Sequence, residues 1–217
     1  MKKLVLLLLV AAVLAGSSTE ASAAKFTGKQ KKIVDTIYDV VSTEKNWETY
    51  GSLPSVCIAQ AYVESGVGAA GRRNNLWGLN GGRASYRTLK QGVYAYMKCI
   101  NKRWYTRYGA TDTKNWKKQI RRILRGGYCV PASGYYNKVQ RVVRMYNLEK
   151  YDEKMFDEHK EAKKKRKEAA KAKAAKEKEK KEREERAREL EEKKEILDEI
   201  PSLFTDFSIE FAVGNIR

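Results

Sequence analysis

The feature that most limits the fold of this chain is a charged run at residues 153–200. It holds 18 lysines and arginines, 16 aspartates and glutamates, and neither glycine nor proline. Such a run cannot bury a core, so it is either a solvated helix or disordered. Repeated pairs with the acid four residues before the base, such as Glu177 and Lys181, favour a long solitary helix. Apolar residues are too sparse for a coiled-coil seam until about residue 190.

The remaining segments of the chain have different compositions. Residues 1–24 combine a basic start, an apolar stretch and an Ala-Ser-Ala site, which predicts a cleavable signal peptide. Residues 25–152 are expected to form one domain, and we expect no membrane span once the signal is removed. Residues 201–217 form a tail in which apolar side chains alternate between Phe207 and Val213. This alternation predicts a short β-like strand. Such a strand would pair with a protein partner or with the edge of this chain's own domain, or would remain an unpaired, adhesive tail.

Positive charge is concentrated in the predicted domain. Residues 25–152 carry 24 lysines and arginines against 8 acids, a net charge of +16. A basic surface outside the cell suits anionic polymers. Nucleic acid is the competing partner, because the arginines of residues 121–125 lie near Trp116 and Tyr128. An exported protein rarely meets nucleic acid, so we expect no such partner.

Helix-start signals divide the predicted domain into short helices joined by loops. Thr27 with Gln30, and Thr88 with Gln91, form capping boxes, and each box opens a stretch with apolar residues at helical spacing. Residues 74–87 carry three glycines and little helical period, which predicts a cramped turn or hairpin. The pattern therefore predicts a mainly α domain.

One predicted helix, from Pro54 to Ser65, ends in a lone carboxylate, Glu64. Proline belongs in a first helical turn, and Gly66 favours the helix end. Gln60 lies one turn before Glu64 and shares its face. An acid at the end of an apolar helix, where glycines let other backbone approach, is suited to proton transfer. The simpler alternative is a solvated glutamate, which the helix dipole mildly disfavours.

Several motifs in one order and spacing carry a resemblance to a known family. They are Ala59-Gln60, Glu64-Ser65-Gly66 with Gly68, Asn74-Asn75-Leu76-Trp77-Gly78-Leu79, Gly126-Gly127-Tyr128-Cys129, and Tyr135-Tyr136-Asn137-Lys138-Val139 running into Met145-Tyr146-Asn147-Leu148. Together they resemble glycoside hydrolase family 73, the endo-β-N-acetylglucosaminidases of bacterial cell walls, over about residues 26–152. The resemblance implies a mainly α, lysozyme-like α+β fold with a reduced β-lobe, followed here by the charged helix and the β-like tail.

The resemblance also implies the residues of the site and its partners. Glu64 is expected to be the general acid and Tyr128 a second catalytic residue. The residues expected to bind the sugar are Gln60, Asn75, Trp77 and Tyr135. The substrate would be peptidoglycan, with anionic wall polymers as further partners, and neither a cofactor nor a metal is expected. The protein would be secreted and associated with the bacterial cell wall.

The second carboxylate that such enzymes usually need is difficult to find in this sequence. Asp112 is the one acidic residue between Ser65 and Leu148. Three alternatives stay open: water held by Tyr128 and Asn75, attack by the substrate's own N-acetyl oxygen, or no hydrolysis at all. In the last case the chain would be a non-catalytic wall-binding module on a helical stalk.

The three cysteines have different surroundings in the sequence. Cys57 lies among apolar helix residues and is expected to be buried. Cys99 and Cys129 are candidates for one disulfide bond. A cysteine nucleophile and a zinc site are not expected, because the one histidine, His159, lies outside the predicted domain.

Overall fold

The computed structural model describes residues 23–68, 73–129 and 131–213, and these residues form helices and turns without a strand. The helices are α1 (Gly28–Val41), α2 (Glu44–Tyr50), α3 (Pro54–Ser65), α4 (Leu89–Ile100), α5 (Arg103–Thr106), α6 (Trp116–Arg125), α7 (Ala132–Met145) and α8 (Glu149–Val213). The prediction of a mainly α fold is confirmed. The predicted signal peptide, apart from its last two residues, lies outside the described residues.

The chain divides into two compact units, residues 1–158 and 159–217, and the division falls inside α8. The first unit contains the helices α1 to α7 and the start of α8. Within the described part of the chain, we find no helix that is both long enough and apolar enough to cross a membrane.

Local capping signals set the starts of several helices in the first unit. Both predicted capping boxes are present, at the start of α1 and at the start of α4. In the first box the N–H of Thr27 donates to Oε1 of Gln30 at 3.0 Å. Thr43 caps α2 in a similar way, since its Oγ1 accepts from the N–H of Asn46 at 3.2 Å. The sequence reading missed α2, which has only 7 residues.

Helix α3 lies at the centre of the first unit. It packs against α1, α6 and α7, and its residues from Pro54 to Ala61 are all buried. Cys57 has no exposed surface and behaves as the small buried side chain that the sequence predicts. Full burial of the first two turns explains why apolar residues of α3 lie on every side of the helix and not only along one stripe.

A buried carboxylate from α8 holds the start of α3. The N-cap residue of α3 is Leu53, which offers no side-chain acceptor. Instead Asp152 accepts from the N–H of Ser55 at 2.8 Å and from its hydroxyl at 2.5 Å. Burial raises the pKa of the Asp152 carboxyl to about 7, and the hydrogen bonds from Ser55 act in the opposite direction. The carboxyl group satisfies a helix N-terminus that has no cap of its own.

The segment expected to be a reduced β-lobe consists of turns in its described part. Gly78, Gly81 and Gly82 all have positive φ, which is incompatible with an extended strand. The N–H of Tyr86 donates to the carbonyl oxygen of Arg73 at 2.9 Å, and this bond closes the loop. The β part of the predicted α+β fold is therefore absent from the described residues.

The second unit is helical in its described part, as the charged run predicts. Its side chains up to residue 196 are exposed, apart from His159 and Ala162, which are half-buried. Ion pairs four residues apart join Lys178 with Glu182 at 3.7 Å and Lys181 with Glu177 at 3.6 Å. This helix is stabilised by local pairs and by residue propensity, without a packed face among residues 163–196.

The prediction of a β-like tail at residues 201–217 is wrong for the described residues of that segment. Helix α8 continues through Pro201 to Val213, and residues 214–217 lie outside the described part. The alternation that predicted a strand covers only four apolar residues. The same sequence also has Phe204, Phe207 and Phe211 three and four residues apart, which is helical spacing. A lone strand leaves its backbone groups unpaired, whereas a helix pairs its own.

Candidate active site

Glu64 lies where α3 leaves the core. The side chains of α3 are buried up to Ala61, whereas the side chain of Glu64 is exposed. Gly66 ends the helix in the left-handed conformation, with φ of 60°, and its N–H donates to the carbonyl oxygen of Tyr62 at 2.8 Å. Glycine suits this position because it has no Cβ. The helix end therefore presents one carboxylate on a rigid support.

Tyr135 from α7 holds the Glu64 carboxylate. Its hydroxyl donates to Oε1 of Glu64 at 2.6 Å, and its ring is buried. Burial, followed by the hydrogen bond to Glu64, raises the pKa of the Tyr135 phenol. The phenol therefore stays protonated and acts as a hydrogen-bond donor. The sequence grouped Tyr135 with the sugar-binding residues, but in the structure it contacts the acid itself.

A chain of hydrogen bonds supports Tyr135 from inside the core. The hydroxyl of Tyr96 donates to Oε1 of Gln60 at 2.5 Å, and Nε2 of Gln60 donates to the hydroxyl oxygen of Tyr135 at 3.3 Å. Gln60 and Tyr96 have no exposed surface. The predicted contact of Gln60 with sugar does not fit this burial. Gln60 instead fixes which way Tyr135 donates, because a hydroxyl that accepts from Gln60 keeps its proton for Glu64.

Tyr128 lies beside Tyr135 on the loop between α6 and α7. The two ring centroids are 5.7 Å apart, and the Tyr128 hydroxyl donates to the carbonyl oxygen of Trp77 at 3.3 Å. Burial first, and then the neighbouring Tyr135 and Glu64, raise the pKa of the Tyr128 phenol. The structure thus brings Tyr128, Tyr135 and Glu64 together, as the motifs predict.

Trp77 packs inside the domain and does not line the site. Only 3% of Trp77 is exposed, and its ring stacks on Tyr96 at a centroid distance of 4.6 Å. Its indole Nε1 donates to the carbonyl oxygen of Cys57 at 2.9 Å. The expectation that a pyranose ring stacks on Trp77 does not fit this burial. A tryptophan flanked by a glycine can either bind sugar or pack in the core. Here the Trp77 ring already packs on Tyr96, and its N–H already has a hydrogen-bond partner.

Asn75 shapes the turn beside the acid. Its Oδ1 accepts from the N–H of Leu79 at 2.9 Å, and its Nδ2 donates to the carbonyl oxygen of Leu79 at 3.0 Å. Both ends of the amide are therefore occupied, and 6% of Asn75 is exposed. The predicted direct contact of Asn75 with sugar or water does not fit these bonds. The turn places Gly78 so that a Cβ there would lie 3.8 Å from Oε2 of Glu64.

All three cysteines are free, which corrects the expected pairing of Cys99 with Cys129. Burial raises the pKa of the Cys99 thiol. Disulfide formation needs a thiolate, and a half-buried thiol with a raised pKa supplies little of it.

Other carboxylates have separate roles in the first unit. The side chain of Asp112 is exposed, in the turn before α6, and its backbone carbonyl accepts from Nη1 of Arg122 at 2.8 Å. Asp152 is bound to Ser55 at the opposite end of α3 from Glu64. Among the described residues, no group of three or more histidine, cysteine or acidic side chains could hold a metal ion.

Sequence reasoning missed the roles of Tyr96 and Asp152. Tyr96 reads as one more apolar position of α4, and no local pattern shows that its hydroxyl meets Gln60. A signal for Asp152 does exist. Leu53 and Pro54 leave the start of α3 without a capping side chain, so an acceptor has to come from elsewhere in the chain.

One comparison with known proteins identifies a family. Residues 41–148 match the family of mannosyl-glycoprotein endo-β-N-acetylglucosaminidases, called glucosaminidases. Among solved structures, the catalytic domain of the autolysin Auto from Listeria monocytogenes is similar, with 22% sequence identity and a TM-score of 0.44 over 61% of this chain and 92% of that one. No curated protein sequence matches the chain.

The family match includes α3, the turn at Gly78 and the two tyrosines beside Glu64. It ends at Leu148, one residue before α8 begins. Through this domain, the chain belongs to the glucosaminidase family of glycoside hydrolases.

Proposed function

We propose that this protein hydrolyses the glycan strand of peptidoglycan at N-acetylglucosamine, with Glu64 as the general acid. The observation that carries the proposal is the 2.6 Å hydrogen bond from Tyr135 to Glu64, at the point where α3 emerges from a glucosaminidase domain. A general acid has to be exposed to substrate and fixed in orientation, and this carboxylate meets both requirements.

The hydrogen bond from Tyr135 decides which oxygen of Glu64 carries the acidic proton. Tyr135 donates to Oε1, so Oε1 is an acceptor and the proton belongs on Oε2. Oε2 is the oxygen near Gly78, where the lack of a side chain leaves space. We expect the glycosidic oxygen of the substrate to approach Glu64 from this side.

Gln60 and Tyr96 are positioning residues in this proposal. They touch neither substrate nor the acid, and they act through the hydroxyl of Tyr135. Because each donates toward the next oxygen, the chain runs in one direction from Tyr96 to Glu64. A buried chain with fixed donors costs no reorganisation when the acid gives up its proton.

The nucleophile is proposed to be the N-acetyl oxygen of the substrate. Glu64 gives the proton of Oε2 to the leaving oxygen, the anomeric carbon–oxygen bond breaks, and the acetamido oxygen bonds to the anomeric carbon. Water then opens the resulting oxazoline ring, and the Glu64 carboxylate takes a proton from that water. This route needs one enzyme carboxylate, and the paucity of acids between Ser65 and Leu148 favours it.

Tyr128 is proposed to form a wall of the site beside Tyr135. Because its phenol pKa is raised, it stays protonated and cannot serve as a general base. Its hydroxyl already donates to the carbonyl oxygen of Trp77. Of the residues expected to contact sugar, Tyr128 and the Glu64 carboxylate remain suited to that task. An enzyme with this substrate acts outside the membrane, at the cell wall.

Glu64→Gln tests the proposal directly. This change keeps the size of the side chain and removes the transferable proton, so release of new reducing ends from purified peptidoglycan should fall about 10²- to 10⁴-fold. Binding of the protein to sedimented walls should persist. Mass spectrometry of the wild-type products should find N-acetylglucosamine at the new reducing end.

Asp112→Asn is the matched control, because it replaces an exposed carboxylate by an amide elsewhere in the same domain. Its activity should stay within about twofold of wild type, since the carboxylate is exposed in the turn before α6. A hundredfold fall for Asp112→Asn at unchanged stability would replace the substrate-assisted step with a two-carboxylate mechanism. Wall binding without any release of reducing ends by the wild type would favour a binding module instead.

A further inference from the structure

Helices α6 and α7 form a region of the first unit without negative charge. Residues 113–148 contain nine lysines and arginines and no aspartate or glutamate. The two helices pack against each other. Buried residues such as Ile120 and Val139 face the core, so the cations are left for the outer side.

A cavity of about 320 Å³ opens between the two helices. Its lining residues are Arg121, Leu124, Arg125, Ala132, Ser133 and Tyr136. It is separate from the site at Glu64, because neither Glu64 nor Tyr135 lines it. The charged groups in its lining are both guanidinium groups.

Aromatic rings orient the two arginines of this cavity. The guanidinium carbon of Arg121 lies 5.0 Å from the ring centroid of Tyr136, and that of Arg125 lies 4.8 Å from the ring centroid of Tyr108. Stacking on a ring fixes the plane of a guanidinium group and leaves its edge donors available. No carboxylate among the described residues pairs with either arginine, so these donors are free to bind an anion.

The hydroxyl of Tyr136 supplies a second observation at the same place. It is buried and has no hydrogen-bond partner among the described residues, although Tyr136 lines the cavity. A buried hydroxyl normally has a partner, so Tyr136 has an unused hydrogen-bonding group beside the two arginines.

A second hollow, of about 500 Å³, lies along α7. It is lined by Asn137, Gln140, Arg141, Arg144 and Met145. The two hollows lie on the same helix, from Ser133 near its start to Arg144 near its end, a distance of roughly 16 Å at 1.5 Å per residue. A small anion fills one hollow, whereas a chain with repeating anionic groups spans both.

We propose that the surface of α6 and α7 binds a flexible polymer of repeating phosphodiester groups, and that this binding is separate from glycan hydrolysis. Arginine edges suit phosphate oxygens, which they bind in pairs. A nucleic acid strand would also use its bases, but the rings of Tyr136 and Tyr108 already have a face covered by guanidinium groups. The surface therefore favours a polymer that is recognised through its backbone charge.

The test is a titration of the full chain with a fluorescently labelled poly(glycerol phosphate) over a series of salt concentrations. The double variant R121Q/R125Q should bind about tenfold more weakly, and the slope of log affinity against log salt should become shallower by roughly 1.5. The matched control is K29Q/K32Q, which removes two exposed cations from α1 in the same unit. Its affinity should change less than about twofold.

Arg121→Lys with Arg125→Lys keeps the charge and removes the planar guanidinium groups. This variant should bind about threefold more weakly with an unchanged salt slope, and it keeps the test valid if the glutamine variant does not fold. Hydrolysis of glycan that has been stripped of anionic polymers should be unchanged in both arginine variants. That measurement separates a failure of this proposal from a failure of the proposed enzyme activity.

Two results would overturn the proposal. One is an equal loss of affinity in R121Q/R125Q and K29Q/K32Q, which would mean that net charge alone binds the polymer. The other is a loss of affinity in R121Q/R125Q for single-stranded DNA but not for poly(glycerol phosphate). That result would assign the surface to nucleic acid.

Discussion

Helix α3 and residues 159–196 of α8 are both regular helix, but they are stabilised in opposite ways. Nine of the twelve residues of α3 are buried, and its start is held by Asp152 from a distant part of the chain. The side chains of residues 163–196 are exposed, with ion pairs between residues four apart. Tertiary contacts specify the first helix, and local sequence specifies the second. A single substitution should therefore be felt throughout the first unit but only locally in the second.

Gly92→Ala should give the largest effect and the sharpest contrast. Alanine is the better helix former, yet a Cβ at this position of α4 would lie 2.1 Å from the carbonyl oxygen of Asn74. We expect a loss of about 3 kcal/mol or more in the free energy of unfolding, because the obstacle is backbone. Tryptophan fluorescence during urea unfolding measures it, since all four tryptophans lie in the first unit.

Ala174→Gly is the counterpart on the exposed helix. It should cost about 1 kcal/mol of local helix stability, visible in far-ultraviolet circular dichroism, and should leave the tryptophan transition unchanged. A shift of that transition would contradict the idea that the second unit is stabilised locally.

Tyr135→Phe tests the chain that connects the core with Glu64. Loss of the hydroxyl leaves the carboxylate without its donor, so kcat on peptidoglycan should fall roughly 30-fold, or about 2 kcal/mol, with KM little changed. The control is Tyr151→Phe, which removes a hydroxyl from a half-buried tyrosine that packs against Tyr38. Equal losses in both variants would show that the effect is general destabilisation.

Asp152→Asn tests the buried cap of α3 through its pH dependence. The folded state raises the pKa of Asp152 from 3.8 to about 7, so the folded protein binds this proton more tightly than the unfolded chain. Its contribution is full below about pH 4 and is lost as pH rises toward 7, with a slope of at most about 1.4 kcal/mol per pH unit. Asp152→Asn should remove this slope, as measured by urea unfolding at several pH values. An identical slope in both proteins would mean that Asp152 is ionised throughout.

Glu177→Gln should have the smallest effect. It removes an exposed ion pair with Lys181, worth roughly 0.3–0.5 kcal/mol of helix stability. The loss of helicity should disappear in high salt, where the Debye length is only about 3 Å at 1 M. A loss that persists in high salt would mean that the pair is not simply electrostatic.

The same contrast explains how far the sequence predicts the structure. Thr27, Thr88 and the charged run act on neighbours in the chain, so the starts of α1 and α4 and the helix at 153–200 are all confirmed. The prediction of a strand beyond residue 200 was wrong, because one short stretch fits both the strand period and the helix period.

The site is only partly readable from the sequence, since its contacts join distant elements. The motifs assigned Glu64, Tyr128 and Tyr135 to one site, and in the structure these three side chains lie together. They did not show that the Trp77 ring stacks on Tyr96, or that Gln60 donates a hydrogen bond to Tyr135 and not to a sugar. Burial decides between packing and binding for such residues, and burial is a property of the folded chain.

The contact between Asp152 and Ser55 shows that the compact first unit extends beyond the residues that match the family. A fragment cut at the family limits, residues 41–148, would lose the carboxyl group that accepts from the N–H and the hydroxyl of Ser55. It would also lose nearly all of α1, which packs on α3 and α4. Glu64 stands at the far end of that helix. A fragment that is meant to keep Glu64 in place should therefore span residues 24–158. The shorter piece would lack Asp152 and most of α1, which together hold α3 in position.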